Sequence, residues 1–445
     1  MNLDTSSNDS IDTIDDNNSI DAGVGNPPEF RIEPKFAEYK TLDNSFLQKY
    51  DVELYGSDVD IYGIINDFLQ DNQSEEAFYI VDLGEIVSAY NNWVRLLPNV
   101  RLFYAVKCNP NPVILEALSC LGVNFDAASQ SEIRSVIDIT NEPSRIIFAN
   151  PIRLISQLKY ARSNDVDLLT LDSEEEMFKI KLYHPHAKML IRLSVDDSHS
   201  VCRFSKKFGC KLNQVEELLT IAKTLRLSVI GFSFHVGSNC LSTESFYEAI
   251  HDCRTATDIA TRLGFNISMI DIGGGFTCIS EKINFEDVAK RLNDGIEDFF
   301  EKEVETGDIE FISEVGRYLV EKSHTLVLNV IGKKRVRDDE TGKEIIVYYV
   351  NESTYGSFNC IKNDSYSPIL LPYNERTESL IQSRVYGVSC DGSDMICDAI
   401  MLPDLAIGEC LFVQEMGAYT TCAASRGFNG FAPTSICKYI YKDKV

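Results

Sequence analysis

Arg101-Leu102-Phe103-Tyr104-Ala105-Val106-Lys107-Cys108-Asn109-Pro110 joins an unbroken apolar run to a single amine. The residues from Leu102 to Val106 are apolar, aromatic or β-branched, as suits a strand buried on both faces of a parallel sheet. Lys107 then stands at the strand's carboxyl end. A lysine there reads either as solvated surface or as an amine held inside a site. Lysine is seldom buried unless paired, so the surrounding sequence must decide.

Outward from this stretch, one unit repeats. A short apolar strand ends in polar or small residues, and a helical pattern follows. The strands are expected at 102–106, 122–125, 146–149, 167–171, 189–193, 228–234, 268–272 and 309–312. Helices are expected at 112–120, 130–137, 154–162, 173–183, 215–225, 243–263 and 285–301. Eight strands alternating with helices is the pattern of an α/β fold, a (β/α)8 barrel. A doubly wound open sheet is the alternative, because strand number alone does not establish closure. After about residue 320 the rhythm changes. Strands at 325–331, 344–350, 384–388 and 409–414, separated by turn-rich pieces, indicate a second, mostly antiparallel β domain. The chain thus divides into an acidic tail (1–28), an N-terminal part of the β domain (29–76), the barrel (77–320) and the C-terminal β domain (321–445).

The 445 residues carry a formal net charge of -26. The first 30 contain seven acidic and no basic residues, and the stretch is expected to be disordered. A solvated extension is the default reading, with a regulatory tail or degradation signal as alternatives. The acidity of the remainder argues against nucleic acid or an anionic membrane as main partner. The 13 cysteines include no C-x-x-C pair, which fits reduced thiols and a cytoplasmic location better than a disulfide framework or zinc ribbon. No H-E-x-x-H motif or other metal-ligand spacing occurs. The N-terminus does not read as a signal peptide, and no apolar run is long enough to span a membrane.

Chemistry in barrels of this kind collects at the carboxyl ends of the strands. Those ends carry Lys107, Asp126 with Glu132 opening the next helix, Arg192, His235 to Ser238, Asp271 to Phe276, and Ser313 to Arg317. Gly273, Gly274 and Gly275 let the backbone approach a ligand and present N–H groups to it. With Arg317 at the next strand end they occupy the place where barrels often hold phosphate. A tight turn is the plainer reading of the glycines alone. An amine, a phosphate cradle and several ionisable groups point to a carbonyl cofactor held as a Schiff base, with pyridoxal phosphate the candidate. Glu314 would then keep the pyridine nitrogen protonated, and His235 would stack on the ring. Taken alone, His235 reads as a satisfied core histidine.

The motifs FYAVKCN (103–109), FDAASQSEI (125–133), IRLSVDDS (191–198), VCRFSKKFG (201–209), FHVGS (234–238), DIGGGF (271–276), SEVGR (313–317), YGSFNC (355–360), CDGSD (390–394), MGAYT (416–420) and FNGF (428–431) together resemble those of the eukaryotic ornithine decarboxylases. The likeness extends from about residue 34 to residue 441. It implies a pyridoxal phosphate enzyme built of a barrel plus a β domain, working as a homodimer with shared active sites. By position it implies Lys107 as the Schiff-base lysine and Glu314 as partner of the pyridine nitrogen. His235 is implied as the stacking residue. Ser238, Gly273, Gly274, Gly275, Gly316, Arg317 and Tyr419 are implied as phosphate ligands. Asp126, Glu132 and Arg192 are implied to set the charge around the lysine. Cys390 is implied as the proton donor to the α-carbon, and Asp364 and Asp391 as carboxylates for a distal ammonium. Tyr355 is implied at the substrate pocket, with Phe428 or Phe431 lining it. Cys390 and Asp391 would serve the neighbouring subunit's site.

The sequence departs from the family pattern at Val315, Thr277, Asn239, Asn363, Val388, Ser389 and Tyr386. These changes flank the substrate side more than the cofactor side, so they bear on which diamino acid is used. The expected reaction is decarboxylation of ornithine to putrescine. Lysine or another basic amino acid is the alternative substrate, and an inactive homologue of the antizyme-inhibitor kind is the alternative class. Antizyme is a candidate partner on the same resemblance.

Overall fold

The computed structural model describes residues 30–442 apart from 72–74, 278–282, 339–341, 365, 374–377 and 426. The acidic tail expected at 1–28 lies outside the described residues. Val100–Ala105, Asn124–Ala127, Ile146–Phe148, Leu168–Leu171, Lys188–Arg192, Ser228–Ser233, Met269–Asp271 and Glu310–Val315 form a closed parallel barrel, here called barrel strands one to eight. Closure is direct. Strand one pairs with strand two on one side and strand eight on the other. An open sheet is therefore excluded.

The apolar run of strand one serves two surfaces. Phe103 belongs to the barrel interior, with Ile147, Ala149, Leu190 and Ile312. Leu102 and Tyr104 face the surrounding helices and join the main core. Successive side chains of a strand point to opposite faces, so a strand buried on both sides needs an unbroken apolar run. Arg101 is the exposed exception and is paired with Glu310 at 2.7 Å. The strand begins two residues earlier than expected and stops at Ala105. Val106–Cys108 is a turn of 3-10 helix, so Lys107 leaves the sheet before it is presented. The Tyr104 hydroxyl donates to the Asn109 carbonyl at 3.1 Å and holds this turn closed.

Local chemistry sets the helix limits. Pro112–Cys120 starts where the Asn111 side chain accepts from the Val113 N–H, with proline at its first position. Gln130–Thr140 is capped by Ser129. Leu83–Leu96, which was not among the expected helices, packs its fully buried Trp93 against Phe276, Phe285 and Tyr318. Each such aromatic pair is worth about 0.5–1.5 kcal/mol beyond area burial. No helix of the described residues is long and apolar enough to cross a membrane.

The second domain is a mixed, mostly antiparallel sheet. His324–Arg337 is its spine, pairing with Phe78–Asp82 and Cys410–Val413 along its first half and with Glu344–Val350 along its second. A register shift between Val330 and Gly332 separates the halves. Ile381–Tyr386 and Met395–Leu402 extend one side; Cys437–Lys442 and Glu53–Tyr55 extend the other. The division expected at residue 77 needs correction, because Phe78–Asp82 is bonded into this sheet and not the barrel. Its apolar run is equally suited to either sheet, and only its partners decide.

The domains meet behind Lys107. Asn109 donates through its side-chain amide to the Gly417 carbonyl at 2.9 Å and contacts His324 Nε2 at 3.2 Å. The Ser323 hydroxyl lies 2.8 Å from His324 Nδ1. Burial pushes His324 down from 6.5 to about 4. The unfolded chain binds a proton near 6.5 that the folded chain refuses until about 4, so this residue lowers stability as pH falls through that window. Relative to His324→Gln, the wild-type unfolding free energy should drop by up to about 1.4 kcal/mol per pH unit there, measured by urea titration at each pH.

Candidate active site

The barrel rim holds a cavity of about 260 Å³ lined by Lys107, Phe204, His235, Glu314, Arg317 and Tyr419, with Ser238, Gly275, Gly316, Asp364, Asn363 and Cys202 completing it. Nearly half of the Lys107 side chain is accessible, at 45%, and that surface faces this cavity. Its ammonium is hydrogen-bonded to Asp126 Oδ2 from strand two, whose side chain is fully buried. Burial disfavours the charge on Lys107, but the adjoining Asp126 outweighs it, and the amine is held above its ordinary range.

Three acidic groups converge under the cavity. Asp126 Oδ1, Glu314 Oε1 and Asp271 Oδ2 are buried and lack a hydrogen-bond partner among the described residues. Burial, and then repulsion from Asp271 and Asp126, hold Glu314 well above the usual carboxylate range. Asp271 is pushed up to about 7, mainly by burial, although it accepts from the Gly273 N–H at 2.8 Å. Sequence reading placed Asp271 at a strand end but gave it no role. Its signal was an acid enclosed by Ile270 and Ile272 directly before the glycine run.

His235 is neutral. Its Nδ1 accepts from the Gly237 N–H at 3.0 Å, so Nε2 carries the hydrogen. Burial first, then the charges of Arg192 and Lys107, keep it well below its ordinary value. The edge of the Phe204 ring packs against it, with centroids 5.0 Å apart. Arg192 lies behind the cavity with its guanidinium over the Phe208 ring. Glu132 also lies outside the lining, where it accepts from the Ala128 N–H at 2.6 Å at the start of its helix.

The glycines are required by close backbone packing. A Cβ on Gly275, where φ is +92°, would sit 2.1 Å from the Gly237 carbonyl oxygen. One on Gly274 would sit 2.3 Å from that of Glu314, and one on Gly273 2.2 Å from that of Phe234. The loops after strands six, seven and eight are thereby drawn together around Ser238, Gly316 and Arg317. Tyr419, from the second domain, is fixed by its N–H bonding the Cys108 carbonyl at 3.0 Å and adopts φ +54°. Arg317 is ion-paired with Asp364 and lies 5.1 Å from the Tyr419 ring.

Cys390 and Asp391 are elsewhere in the same chain. They line a separate cavity of about 350 Å³ on the second domain, with Arg384, Tyr386 and Ser389. Asp391 is held down to about 2 by hydrogen bonds from Ser393 and Tyr355. Tyr355 stacks on Phe428 with centroids 4.1 Å apart. The loop is pinned by buried Asp394, which accepts from the Ser389 hydroxyl at 2.6 Å and the Thr354 N–H at 2.8 Å. Of the departures, Asn363 lines the Lys107 cavity, Asn239 adopts φ +53°, and Thr277 donates to buried Glu321.

The model of the pyridoxal-dependent decarboxylase pyridoxal-binding domain matches residues 83–321. The chain belongs to the pyridoxal-dependent decarboxylases. The matched segment begins at residue 83, directly after Phe78–Asp82. Among its relatives, ornithine decarboxylase of Rattus norvegicus is 40% identical over 82% of this chain and 81% of the relative. Antizyme inhibitor 2 of Xenopus laevis is 41% identical over 84% and 83%. The arginine decarboxylase of Paramecium bursaria Chlorella virus, solved bound to agmatine, superposes with a TM-score of 0.79 at 35% identity, covering 86% of this chain and all of that one. The enzyme class is a pyridoxal phosphate-dependent amino acid decarboxylase. The residues fit that cofactor: an amine enters the cavity, buried carboxylate oxygens lack partners, and a side-chain-free cradle adjoins an arginine.

Gly275→Ala should weaken pyridoxal phosphate binding at least about tenfold, since the new methyl group must force the cradle apart. Titration of cofactor absorbance measures this, with circular dichroism confirming the fold.

Proposed function

We propose that this decarboxylase acts on ornithine, releasing putrescine, in a site shared between two copies of the chain. The observation that carries the reading is the single cavity that Lys107, Glu314, His235 and Arg317 line together with acidic Asp364. When bound, pyridoxal phosphate supplies an electron sink for the charge left on the α-carbon as CO2 departs. Lys107 holds the cofactor through its amine and later helps release product. Ser238, Gly274, Gly275, Gly316, Arg317 and Tyr419 bind the phosphate, and backbone N–H groups suit that anion, while Gly273, whose N–H is held by Asp271, shapes the cradle. Glu314, which burial and Asp271 keep protonated before the cofactor binds, would give that proton to the pyridine nitrogen and remain beside it as the paired carboxylate. Neutral His235 offers its ring face without adding a charge. Asp126 fixes the Lys107 amine, while Arg192 and Glu132 set the field and the helix start around it.

Asp364 and Asp391 suit the distal ammonium of a basic amino acid, because a carboxylate in a partly desolvated site binds a cation strongly. Tyr355 and Phe428 form the apolar flank. Cys390 delivers the proton to the α-carbon. Its position away from Lys107 in the same chain supports a homodimer in which one protomer lends Cys390 and Asp391 to its partner. Antizyme is a candidate regulator on the likeness to antizyme inhibitor 2. The free thiols of the described cysteines fit a cytoplasmic location.

Purified, cofactor-loaded protein should release labelled CO2 from carboxyl-labelled ornithine faster than from lysine or arginine. A preference for lysine or arginine would replace the substrate assignment. No release from any of them, with no borohydride-sensitive cofactor band, would favour an antizyme-inhibitor-like role instead.

The shared site is tested by mixing. Lys107→Ala and Cys390→Ala should each be nearly inactive as pure proteins. Dissociated and re-associated together, they should regain about a quarter of wild-type activity, since half the dimers then hold one intact site of two. No recovery would mean that Cys390 serves its own chain or has no such role.

A further inference from the structure

Arg317 and Asp364 meet across the domain boundary. Arg317 opens the short helix after barrel strand eight, and Asp364 follows the one-turn helix Cys360–Asn363 of the second domain. They form a direct ion pair, with side chains only 11% and 17% accessible. Both line the cavity containing Lys107. Lys107 is itself paired with Asp126, so each cation lining the cavity is matched by a carboxylate of the chain. Asp364 is held in place by its backbone N–H, which donates to the Cys360 carbonyl at 2.9 Å. Arg317 is steadied by the face of Tyr419.

We propose that the Arg317–Asp364 pair is a shared counter-ion that makes the cavity bind an anion and a cationic amine cooperatively. The inference rests on the reading above, in which Arg317 takes phosphate and Asp364 takes the distal ammonium. A phosphate binding alone takes Arg317 away and leaves a largely buried carboxylate unmatched. An amine binding alone takes Asp364 away and leaves a largely buried guanidinium unmatched. Leaving one member of such a pair without its partner is unfavourable. When both ligands bind, Arg317 meets phosphate and Asp364 meets ammonium, and the separation is incurred once instead of twice. Linkage then requires the effect to be reciprocal. The consequence for function is mutual enhancement: filling the phosphate end strengthens the amine end, and filling the amine end strengthens the phosphate end. Because the pair spans both domains, filling the site also exchanges a direct link between them for one through the ligands.

The experiment uses the full chain freed of cofactor with hydroxylamine, and titrates 1,4-diaminobutane by calorimetry with and without inorganic phosphate at constant ionic strength. Phosphate should tighten diamine binding about tenfold, within the usual range of coupling between sites. In Asp364→Asn, phosphate alone should bind about tenfold tighter than in wild type, because its competitor for Arg317 is gone; diamine should then no longer respond to phosphate. Asp364→Ser, checked by circular dichroism, repeats the measurement should the first variant misfold. Equal diamine affinity with and without phosphate in the wild type, or unchanged or weaker phosphate binding in both variants, overturns the coupling alone. No phosphate binding to any of the three proteins overturns both the coupling and the phosphate-site reading.

Discussion

Closure of eight parallel strands puts every strand's carboxyl end on one rim, and the rest of the molecule depends on that. Residues far apart in the chain, such as Lys107, His235 and Glu314, become neighbours because strands one, six and eight belong to one hydrogen-bonded ring. The rim tightens further where side chains are absent. The carbonyls of Phe234, Gly237 and Glu314 occupy the places that Cβ atoms of Gly273, Gly275 and Gly274 would need. Three loops can therefore converge on one small volume.

Such convergence concentrates charge in a poorly solvated place, where unmatched charges are costly. The structure responds in two ways. Lys107 and Arg317 are each paired with a carboxylate, Asp126 and Asp364 respectively. Glu314 and Asp271, which lack such cations, are driven toward their protonated forms by burial. Such an acid carries a proton that a pyridine nitrogen could take up, and the carboxylate left behind would be the counter-ion of the protonated ring. The second domain completes this balance by supplying Asp364 and Tyr419. It is held to the barrel by the Asn109–Gly417 and Tyr419–Cys108 bonds directly behind Lys107.

The barrel was legible wherever local signals were strong. Pro112–Cys120 and Val215–Leu225 match their expected limits, and all eight strands lie within two or three residues of their expected ends. The turn at Val106–Cys108 was hidden because an apolar residue before a lysine looks like a continuing strand. Met395–Leu402 was missed because its burial follows no clean alternation and includes only two buried positions. Phe78–Asp82 falls within the segment expected for the barrel, but its placement in the second sheet depends on partners about 245 and 360 positions away. In the candidate site, motifs marked Lys107, His235 and the glycines. The burden on Asp271 was not visible, since an acid at a strand end looks the same whether solvated or enclosed.

By itself the sequence determined the alternation of strands and helices, the rim residues and the family. Those properties are written in periodicity, in glycine placement and in short motifs, all of which are local. Only the tertiary structure decided closure, the sheet to which Phe78–Asp82 belongs, the separation of Cys390 from Lys107, and the pairing of Arg317 with Asp364. These depend on which distant groups share a poorly solvated space. That is a property of distance in three dimensions, and chain spacing does not encode it residue by residue.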